Sequence, residues 1–457
     1  MAIPQGLLVS RSSLTRAGRF SLLAFAAALS WAAVHAAEPA PSPHWPHWRG
    51  PEASGVAPNA DPPIEWSEDK NIQWKVTLAG KGSATPILWG DQLFVLSAVE
   101  TDRVADPADR PQRDPTLEAK TEAPTKYYQF VVQSLDRKTG KQLWSHTAAE
   151  AVPHEGLHQT NTYAAGSPTT DGHRLYVSFG SRGNFCYSLD GKLLWKRDLG
   201  PIHSRLGWGE AVTPVVHGDS LLLNWDQEKD SVLYCLDVQT GQTRWKVDRD
   251  EKTSWNTPLV VEHGGKTQAI LNGTTRVRSY DLATGEVLWQ TGGMTVNAIP
   301  SPVAAEGVAY IMSGYRGADA VAVSLDSRGE LGEGQTVWRY SKGTPYVPSP
   351  LLVAGRLYFT MANVNAMTIL DAKTGQALVD RGRLDGIKNV YGSPIAAAGR
   401  IYLADREGTT VVLKLSDKIE VLATNKLDEQ FDASPVAVGK QLFLRGHKTL
   451  YAIGTAE

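Results

Sequence analysis

One eleven-residue stretch, Ser279–Trp289, constrains the fold most, because related versions of it recur along the chain. An apolar strand leads into Asp-x-x-Thr-Gly, and a second strand follows with a Trp four residues after the Gly. Asp281 can accept hydrogen bonds from backbone N–H groups ahead of it and start a turn. Gly285 supplies the positive φ angle that a tight hairpin needs. The indole of Trp289 must be buried, which one hairpin cannot achieve, so the pattern predicts several stacked copies.

This stretch belongs to a longer unit that opens with Ser or Thr followed by Pro. The last seven opening dipeptides are spaced by 46, 44, 44, 48, 44 and 41 residues. The eight dipeptides are Thr85-Pro86, Ser167-Pro168, Thr213-Pro214, Thr257-Pro258, Ser301-Pro302, Ser349-Pro350, Ser393-Pro394 and Ser434-Pro435. The unit closes on Trp144, Trp195, Trp245, Trp289 and Trp338, and we expect Leu378 and Val421 to take that place in units six and seven.

Four strands in every 40–50 residues is the period of a β-propeller blade. The eighth unit stops at Tyr451–Ile453, one strand short, whereas an unmatched strand containing Trp74 precedes the first unit. A β-sandwich or a solenoid would not explain this complementarity. The sequence therefore predicts an all-β, eight-bladed β-propeller over residues 71–457, closed by pairing the N-terminal strand with the C-terminal blade.

The N-terminus has the composition of a secretory signal peptide. Arg11, Arg16 and Arg19 precede an apolar run over 20–34, and small residues follow near Ala36. We therefore predict a signal peptide over 1–36, with an uncleaved membrane anchor as the alternative. No Cys lies near the cleavage site, and no later apolar run approaches the length of a membrane span, so we predict a periplasmic or secreted protein without a lipid anchor or a membrane span.

Removal of those three Arg residues would change the formal net charge from −2 to −5, because three positive charges are lost. A mildly acidic protein is a poor partner for nucleic acid. Cys186 and Cys235 have the same strand parity before their matched turns, so we favour two buried thiols over a disulfide.

Two segments stand outside the repeat. Residues 37–70 are rich in Pro, His and Trp and are predicted to form an extended N-terminal arm, since Pro46 and Pro51 forbid a helix there. Residues 100–126 form a charged, Pro-rich insertion in the first blade. This insertion is interpreted either as a surface loop or as a partner-binding or lid element.

At this point the sequence resembles a known group. Asp-x-x-Thr-Gly-x-x-x-Trp at this period is similar to the PQQ-type repeat of quinoprotein dehydrogenases and BamB-type outer-membrane assembly factors. The segments 45–51, 161–163, 248–251 and 278–281 (WPHWRGP, NTY, DRDE and RSYD) resemble the PQQ-binding-like β-propeller repeat proteins. The resemblance covers roughly residues 45–453 and implies the fold. It implies no settled activity, because the shared motifs are structural.

In such a propeller, the loops entering the innermost strand and those after the second strand gather at one mouth of the channel. The candidate ligand-binding residues there are Lys81, Asn161, Tyr163, Arg182, Trp208, Glu210, Asp226, Trp255, Asn256, Arg276, Asn297, Arg316, Tyr346, Asn389, Tyr391, Asp405, Arg406, Asp432 and Arg445. Arg, Asn, Tyr and Trp suit an anionic or planar ligand through stacking and bidentate hydrogen bonds. A water-filled funnel without a ligand is the alternative.

Cofactor and metal chemistry find little support in the sequence. The resemblance implies that dehydrogenases of this fold hold PQQ against a Trp and adjacent cysteines, with Ca²⁺ beside it. This chain has no adjacent Cys pair, although Glu210, Asn256 and Asp432 are of the types that ligate Ca²⁺. His154-Glu155-Gly-Leu-His158 matches the zinc motif H-E-x-x-H, but that chemistry needs a helix, and Pro and Gly disfavour one here. We predict neither a catalytic residue nor a metal site.

The sequence thus favours a non-catalytic binding or scaffolding protein of the periplasm or cell envelope. We expect a monomer that binds an envelope protein or a small ligand. Two alternatives remain open, a PQQ-dependent oxidoreductase and a BamB-like outer-membrane assembly factor.

Overall fold

The computed structural model describes residues 44–332, 334–361 and 364–455. The predicted signal peptide and the first residues of the predicted arm lie outside this part of the chain. In the described residues, helical structure consists of two single 3₁₀ turns, Pro107–Asp109 and Gly180–Arg182. None of the helices in this part is long and apolar enough to cross a membrane.

Eight sheets of antiparallel strands follow one another along the chain, which confirms the predicted eight-bladed propeller. Two strands precede the blades, β1 (Val56–Ala57) and β2 (Ile72–Thr77). Blade 1 comprises β3 (Ile87–Trp89), β4 (Gln92–Val104), β5 (Lys126–Asp136) and β6 (Gln142–Ala151). Blade 2 comprises β7 (Thr169–Thr170), β8 (Arg174–Ser178), β9 (Asn184–Ser188) and β10 (Leu193–Arg197). Blade 3 comprises β11 (Val215–His217), β12 (Ser220–Trp225), β13 (Ser231–Asp237) and β14 (Thr243–Arg249).

The remaining blades repeat this order. Blade 4 comprises β15 (Leu259–His263), β16 (Lys266–Leu271), β17 (Arg276–Asp281) and β18 (Val287–Gly292). Blade 5 has β19 (Val303–Ala305), β20 (Val308–Ser313) and β21 (Asp319–Ser324), then β22 (Gly329–Leu331), which joins the edge of blade 4, and β23 (Trp338–Tyr340). Blade 6 comprises β24 (Leu351–Val353), β25 (Arg356–Thr360), β26 (Ala366–Asp371) and β27 (Ala377–Arg383). Blade 7 comprises β28 (Ile395–Ala397), β29 (Arg400–Ala404), β30 (Thr409–Lys414) and β31 (Val421–Lys426).

The last blade closes the ring as predicted. Its own strands are β32 (Val436–Val438), β33 (Gln441–Arg445) and β34 (Thr449–Ile453), and β2 from the N-terminal side is the fourth. The register runs antiparallel from Ile72 opposite Ile453 to Thr77 opposite Thr449. This pairing satisfies the backbone groups of β34, so the last blade is completed by the N-terminal side of the chain.

The repeated Asp turn has the geometry that its residues predict. The Asp281 carboxylate accepts hydrogen bonds from the backbone N–H of Ala283 at 2.9 Å and of Thr284 at 3.3 Å. Gly285 has a φ of 78° and donates to the Asp281 carbonyl at 2.8 Å. A Cβ at position 285 would lie 2.8 Å from Cε3 of Trp245, so only glycine fits. The turn is therefore also a docking surface for the Trp of the preceding blade.

The closing Trp residues pack between blades, as their spacing predicts. The Trp245 indole N–H donates to the Leu282 carbonyl in the next blade at 3.0 Å. Trp74, Trp195 and Trp338 make the same kind of bond to the following turn. Trp289 differs, since it is fully buried and bonds to Gln268 in its own blade at 3.2 Å. The extra strand β22 pairs alongside it, which explains its deeper burial.

The closing positions predicted for blades 6 and 7 were wrong by one and two residues. Leu378 and Val421 are exposed, at 36 % and 45 %. Val379 and Ala423 occupy the closing position, because they pair with the third strand next to the β-bulge, as Trp289 does. A bulge inserts an unpaired residue, which shifts the register relative to a simple alternation of strand faces.

Both cysteines are free and buried, in agreement with the prediction of two thiols. Burial raises the pKa of the Cys186 thiol to about 12. Cys186 and Cys235 lie in the third strands of blades 2 and 3, where each pairs with the closing Trp of its own blade.

The blade 1 insertion extends β4 as far as Val104 and then reaches the connection between blades 2 and 3. Lys120 N donates to the Leu206 carbonyl at 2.9 Å, and Thr121 Oγ1 donates to the Gly207 carbonyl at 2.6 Å. Asp114 pairs with Lys229 of blade 3. The insertion therefore packs over two neighbouring blades.

Candidate functional site

A ring of hydroxyl groups surrounds the central channel. It is formed by the Ser or Thr of the eight opening dipeptides, and the Pro that follows keeps each of these residues extended. At seven of the eight junctions, the backbone N–H of one such residue donates to the hydroxyl oxygen of the next blade, at 2.8–3.0 Å. The bond from Ser434 to Thr85 closes the circle. The dipeptides therefore join the blades as well as start the inner strands.

The N-terminal residues enter this channel and cross it. The Pro46 carbonyl accepts from Thr170 N of blade 2 at 3.0 Å. On the far side, the Arg49 guanidinium donates to the Pro350 and Pro394 carbonyls of blades 6 and 7, both at 2.8 Å. The chain then turns back, and β1 pairs in parallel with β28 of blade 7. These contacts place residues 45–57 just below the hydroxyl ring, so the channel is blocked from that side.

A cavity of about 400 Å³ lies above this blockage, and six of the predicted mouth residues line it. All eight hydroxyl groups of the ring line it. Trp48 lines it from the N-terminal segment and forms its floor. The other aromatic residues of the lining are His158, Trp208, Trp255, Tyr315, Tyr346 and Tyr391. We call this cavity the funnel.

The aromatic walls of the funnel are held in place by their own contacts. Tyr315 and Tyr346 stack with ring centroids 4.7 Å apart. His158 meets Trp208 edge to face at 5.3 Å. The Trp255 indole N–H donates to the Gly209 carbonyl at 2.8 Å. Flat surfaces fixed in this way suit a planar or aromatic ligand group.

Asp432 is a carboxylate at the funnel wall, and two neighbouring side chains already occupy its oxygens. The Arg406 guanidinium donates to it at 2.5 Å, and His447 Nε2 lies 2.6 Å from its other oxygen. Arg406 also lies over the Tyr391 ring, 4.5 Å from the centroid. This group is a fixed ion pair at the rim.

Of the predicted mouth residues, six line the funnel: Asn161, Trp208, Trp255, Tyr346, Tyr391 and Asp432. Arg406 joins them through its contacts with Tyr391 and Asp432. Asn161 is oriented by a bond from its amide to the Trp208 carbonyl at 3.0 Å.

Five of the predicted mouth residues are instead buried within or between blades: Asp226, Asn256, Asn297, Asp405 and Arg445. Asp226 binds the Arg249 guanidinium at 2.7 and 3.1 Å, with neither side chain exposed. Arg445 donates to the Leu96 carbonyl of blade 1 at 2.7 Å. Buried polar groups require partners, and neighbouring segments supply them for Asp226, Asn256 and Asp405. Neither amide atom of Asn297 has a partner among the described residues. None of the five residues lines the funnel, contrary to the prediction.

Four further candidates lie away from the funnel lining: Lys81, Arg276, Arg316 and Asn389. Arg276 pairs with Glu330 next to β22. Arg316 is exposed, and its guanidinium carbon lies 5.3 Å from the Tyr315 ring centroid. The expected convergence of Arg276, Arg316, Asn256 and Asp432 therefore does not occur.

The remaining candidates, Tyr163, Arg182 and Glu210, line a separate cavity of about 30 Å³ together with Glu155. Glu210 accepts bonds from the Ser181 N–H and hydroxyl, both at 2.6 Å. Burial raises the pKa of Glu210 to about 7. Burial and then the charge of Glu210 raise the pKa of Glu155 to about 8. Two half-buried carboxyl groups thus line one small cavity.

The residues proposed for Ca²⁺ do not fit a calcium–quinone site. Glu210 lies in the small cavity, Asn256 bonds to the Asn272 carbonyl inside blade 4, and Asp432 is paired at the funnel wall. Across the described residues, no three His, Cys, Asp or Glu side chains are grouped as metal ligands. The H-E-x-x-H segment is not helical, as predicted, and His154 and His158 line different cavities.

Sequence reasoning missed the floor and much of the funnel lining. Trp48 was predicted to lie in an extended arm that packs against the propeller. Its local sequence contains no signal for a position inside the channel. Tyr315 lies in the loop after β20, the second strand of blade 5. In that loop, the adjacent and more polar Arg316 was predicted as the mouth residue. The hydroxyl ring was visible as the Ser/Thr-Pro repeat, and its position before each inner strand was the signal for its role.

The fold and the repeat define an eight-bladed β-propeller with PQQ-type repeats. The family described as outer membrane protein assembly factor BamB matches residues 129–378, which is more than half of the chain. The chain therefore belongs to this family.

Individual proteins of both kinds are similar to this chain. The outer membrane protein assembly factor BamB of Yersinia pestis is 23 % identical over 343 residues, covering 70 % of this chain and 79 % of that protein. The crystal structure of BamB from Moraxella catarrhalis has a TM-score of 0.54 at 14 % identity, covering 79 % of this chain and all of that one (100 %). A polyvinylalcohol dehydrogenase of Sphingopyxis sp. (strain 113P3) is 28 % identical over 192 residues, covering 34 % of this chain and only 29 % of that protein.

Proposed function

We propose that this protein is an exported, non-catalytic binding protein of the bacterial cell envelope that holds a partner or ligand in its funnel. The observation that carries the proposal is the funnel itself, a cavity closed at one end and lined by seven aromatic side chains, counting His158. Its volume of about 400 Å³ is within the range of small-molecule and peptide-anchor sites.

The charged groups at the funnel support binding rather than turnover. Asp432 is held by Arg406 and His447 at once, so it is poorly placed to act as a free general base. Membership of the BamB family, whose name refers to outer-membrane protein assembly, supports an envelope protein as the partner.

A site-specific photo-cross-linker tests this proposal in cells. Replacing Tyr346 puts the cross-linker in the funnel wall, whereas replacing Leu143 puts it on the exposed outer strand of blade 1, where the native side chain is 50 % exposed. We expect a discrete adduct from position 346 that is lost in Trp255→Ala, while position 143 gives no matching adduct. Each variant is first checked for a native thermal transition.

Two results would contradict the proposal. One is the absence of any adduct specific to position 346. The other is reduction of an artificial electron acceptor by the purified protein when PQQ and Ca²⁺ are added, since that would make it an oxidoreductase.

A further inference from the structure

One loop between blades 2 and 3, residues 204–209, holds several side chains of the funnel lining, and we call it the wall loop. Its Trp208 carbonyl accepts hydrogen bonds from His158 N at 3.1 Å and from the Asn161 side-chain amide at 3.0 Å. The carbonyl of the residue after Trp208 accepts from the Trp255 indole N–H at 2.8 Å. Residues of three interblade connections therefore depend on the position of this loop.

The backbone of the wall loop does not hold its own shape. Leu206, Gly207 and Gly209 have φ angles of 57°, 65° and 94°. A leucine with a positive φ is strained, because its Cβ approaches the following carbonyl oxygen. The loop lies between β10 and β11, outside any strand. Strained backbone of this kind persists only where surrounding structure fixes it.

The blade 1 insertion supplies contacts behind the wall loop. Lys120 N donates to the Leu206 carbonyl at 2.9 Å, and Thr121 Oγ1 donates to the Gly207 carbonyl at 2.6 Å. The Thr121 side chain also lies against Gly156, since a Cβ added to Gly156 or to Gly207 would collide with it. Thr121 thus touches the two interblade connections that form this part of the funnel wall.

The rest of the insertion is loosely attached to the propeller. Most side chains of residues 106–113 are exposed, and Asp114 pairs with Lys229 of blade 3. A cavity of about 40 Å³ lies between the insertion and the two connections beneath it. A segment with few buried side chains detaches more easily than the strands of a blade, which remain folded when it does.

We infer that residues 119–121 form a strap that fixes the funnel wall from behind, with Thr121 as the positioning residue. Strap, wall loop and lining residues are joined by consecutive hydrogen bonds, so detachment of the insertion loosens His158, Asn161 and Trp208 without unfolding a blade. Ligand affinity in the funnel then depends on whether the insertion is docked, and a bound ligand favours the docked state in return. This consequence rests on the proposed function, whereas the strap itself is tested without a ligand.

Hydrogen exchange of the purified protein, followed by mass spectrometry, tests the strap. Thr121→Val keeps the branched shape and removes the hydroxyl donor. We expect the amides of 155–163 and 204–209 to exchange about three- to tenfold faster in this variant, the effect of losing one hydrogen bond, while blades 5–7 stay unchanged. Thr125→Val is the matched control, because Thr125 belongs to the same insertion and is exposed. It should exchange like the wild type.

The photo-cross-linker at position 346 measures the consequence for the funnel. We expect the yield of its adduct to fall at least about threefold in Thr121→Val and to stay unchanged in Thr125→Val. If the otherwise unchanged protein gives no adduct, the proposed function fails, and hydrogen exchange still decides whether the strap holds the wall.

Four outcomes overturn the inference. Equal exchange in Thr121→Val and wild type would mean that the strap does not hold the wall loop. Equal acceleration in Thr121→Val and Thr125→Val would mean that the Thr121 bond is not the cause. Faster exchange in all blades would assign Thr121 to global stability. An unchanged adduct despite faster local exchange would leave the proposed function standing but remove the coupling between insertion and funnel.

Discussion

The paired carboxyl groups Glu155 and Glu210 make a quantitative prediction about pH. Glu155 accepts one bond, from Ser204 N at 3.2 Å, and its other oxygen is buried without a partner among the described residues. Burial and the nearby charge of Glu210 raise the pKa of Glu155 from its ordinary value of 4.5 to about 8. In the unfolded chain the proton leaves near pH 4.5, but in the folded protein it leaves near pH 8.

Between these two values the folded state binds more protons than the unfolded state. The free energy of unfolding therefore falls as pH rises through this window and levels off above it. The difference of the two pKa values, 8 minus 4.5, is about 3.5, and at about 1.4 kcal/mol per unit this gives at most about 5 kcal/mol. Part of that shift comes from the charge of Glu210, which titrates in the same cavity, so we expect about 3–5 kcal/mol for the contribution of Glu155.

Glu155→Gln tests this reasoning, because glutamine resembles the protonated side chain. Urea unfolding, followed by Trp fluorescence from about pH 5 to pH 9, should show similar stability for variant and wild type at the acidic end. At the alkaline end, the variant should be more stable by about 2–4 kcal/mol. Glu118→Gln is the control, since that side chain is 69 % exposed. Parallel stability profiles for Glu155→Gln and wild type would refute the assignment of a buried, protonated pair.

Three further substitutions or treatments address the fold. Trp289→Ala should lower the free energy of unfolding by about 3–5 kcal/mol through a cavity between blades, whereas Trp289→Phe should cost less; equal urea midpoints for wild type and Trp289→Ala would contradict the packing. Asp226→Asn should cost about 3–5 kcal/mol in the same assay, because it leaves the buried Arg249 charge unpaired; a loss below about 1 kcal/mol would show that the pair is dispensable. Cys186 and Cys235 should resist a thiol reagent in the native protein and react in urea, as measured by release of the chromophore; immediate labelling would mean that they are accessible.

The architecture was predictable from the sequence because its signals are local and repeated. The Asp281 turn, Gly285 and Trp289 form contacts within one blade and with the next blade. Because the unit recurs along the chain, its spacing identifies the blade, which a single copy would not. Closure through β2 was also predictable, since one end of the chain lacked the strand that the other end had in excess. The error at Val421 arose because blade 7 lacks both the Trp and the Asp-x-x-Thr-Gly turn. In blade 6 the closing position was marked, since the fourth residue after Gly375 is Val379 and not Leu378.

The funnel was predictable only in part, because its members are not set by the repeat. Trp208, Trp255 and Tyr346 precede inner strands and were identified by position. Asp226 and Arg445 occupy loop positions of the same kind, but their side chains turn into the body to meet Arg249 and the blade 1 backbone. The polarity of a residue could not distinguish those that line the funnel from those that are buried between or within blades, since a buried ion pair and a ligand site use the same residue types.

Because residues 45–57 cross the channel, the funnel depends on parts of the chain that are synthesised at very different times. The floor is made first, yet the blade 6 and blade 7 carbonyls that hold Arg49 come about 300 and 345 residues later. The strand that pairs with β2, β34, follows at the end of the described chain. Contacts of such long sequence separation form late in folding. During synthesis the nascent chain thus has no funnel until its final blades arrive, and until then the aromatic N-terminal segment lacks the partners that hold it in the channel.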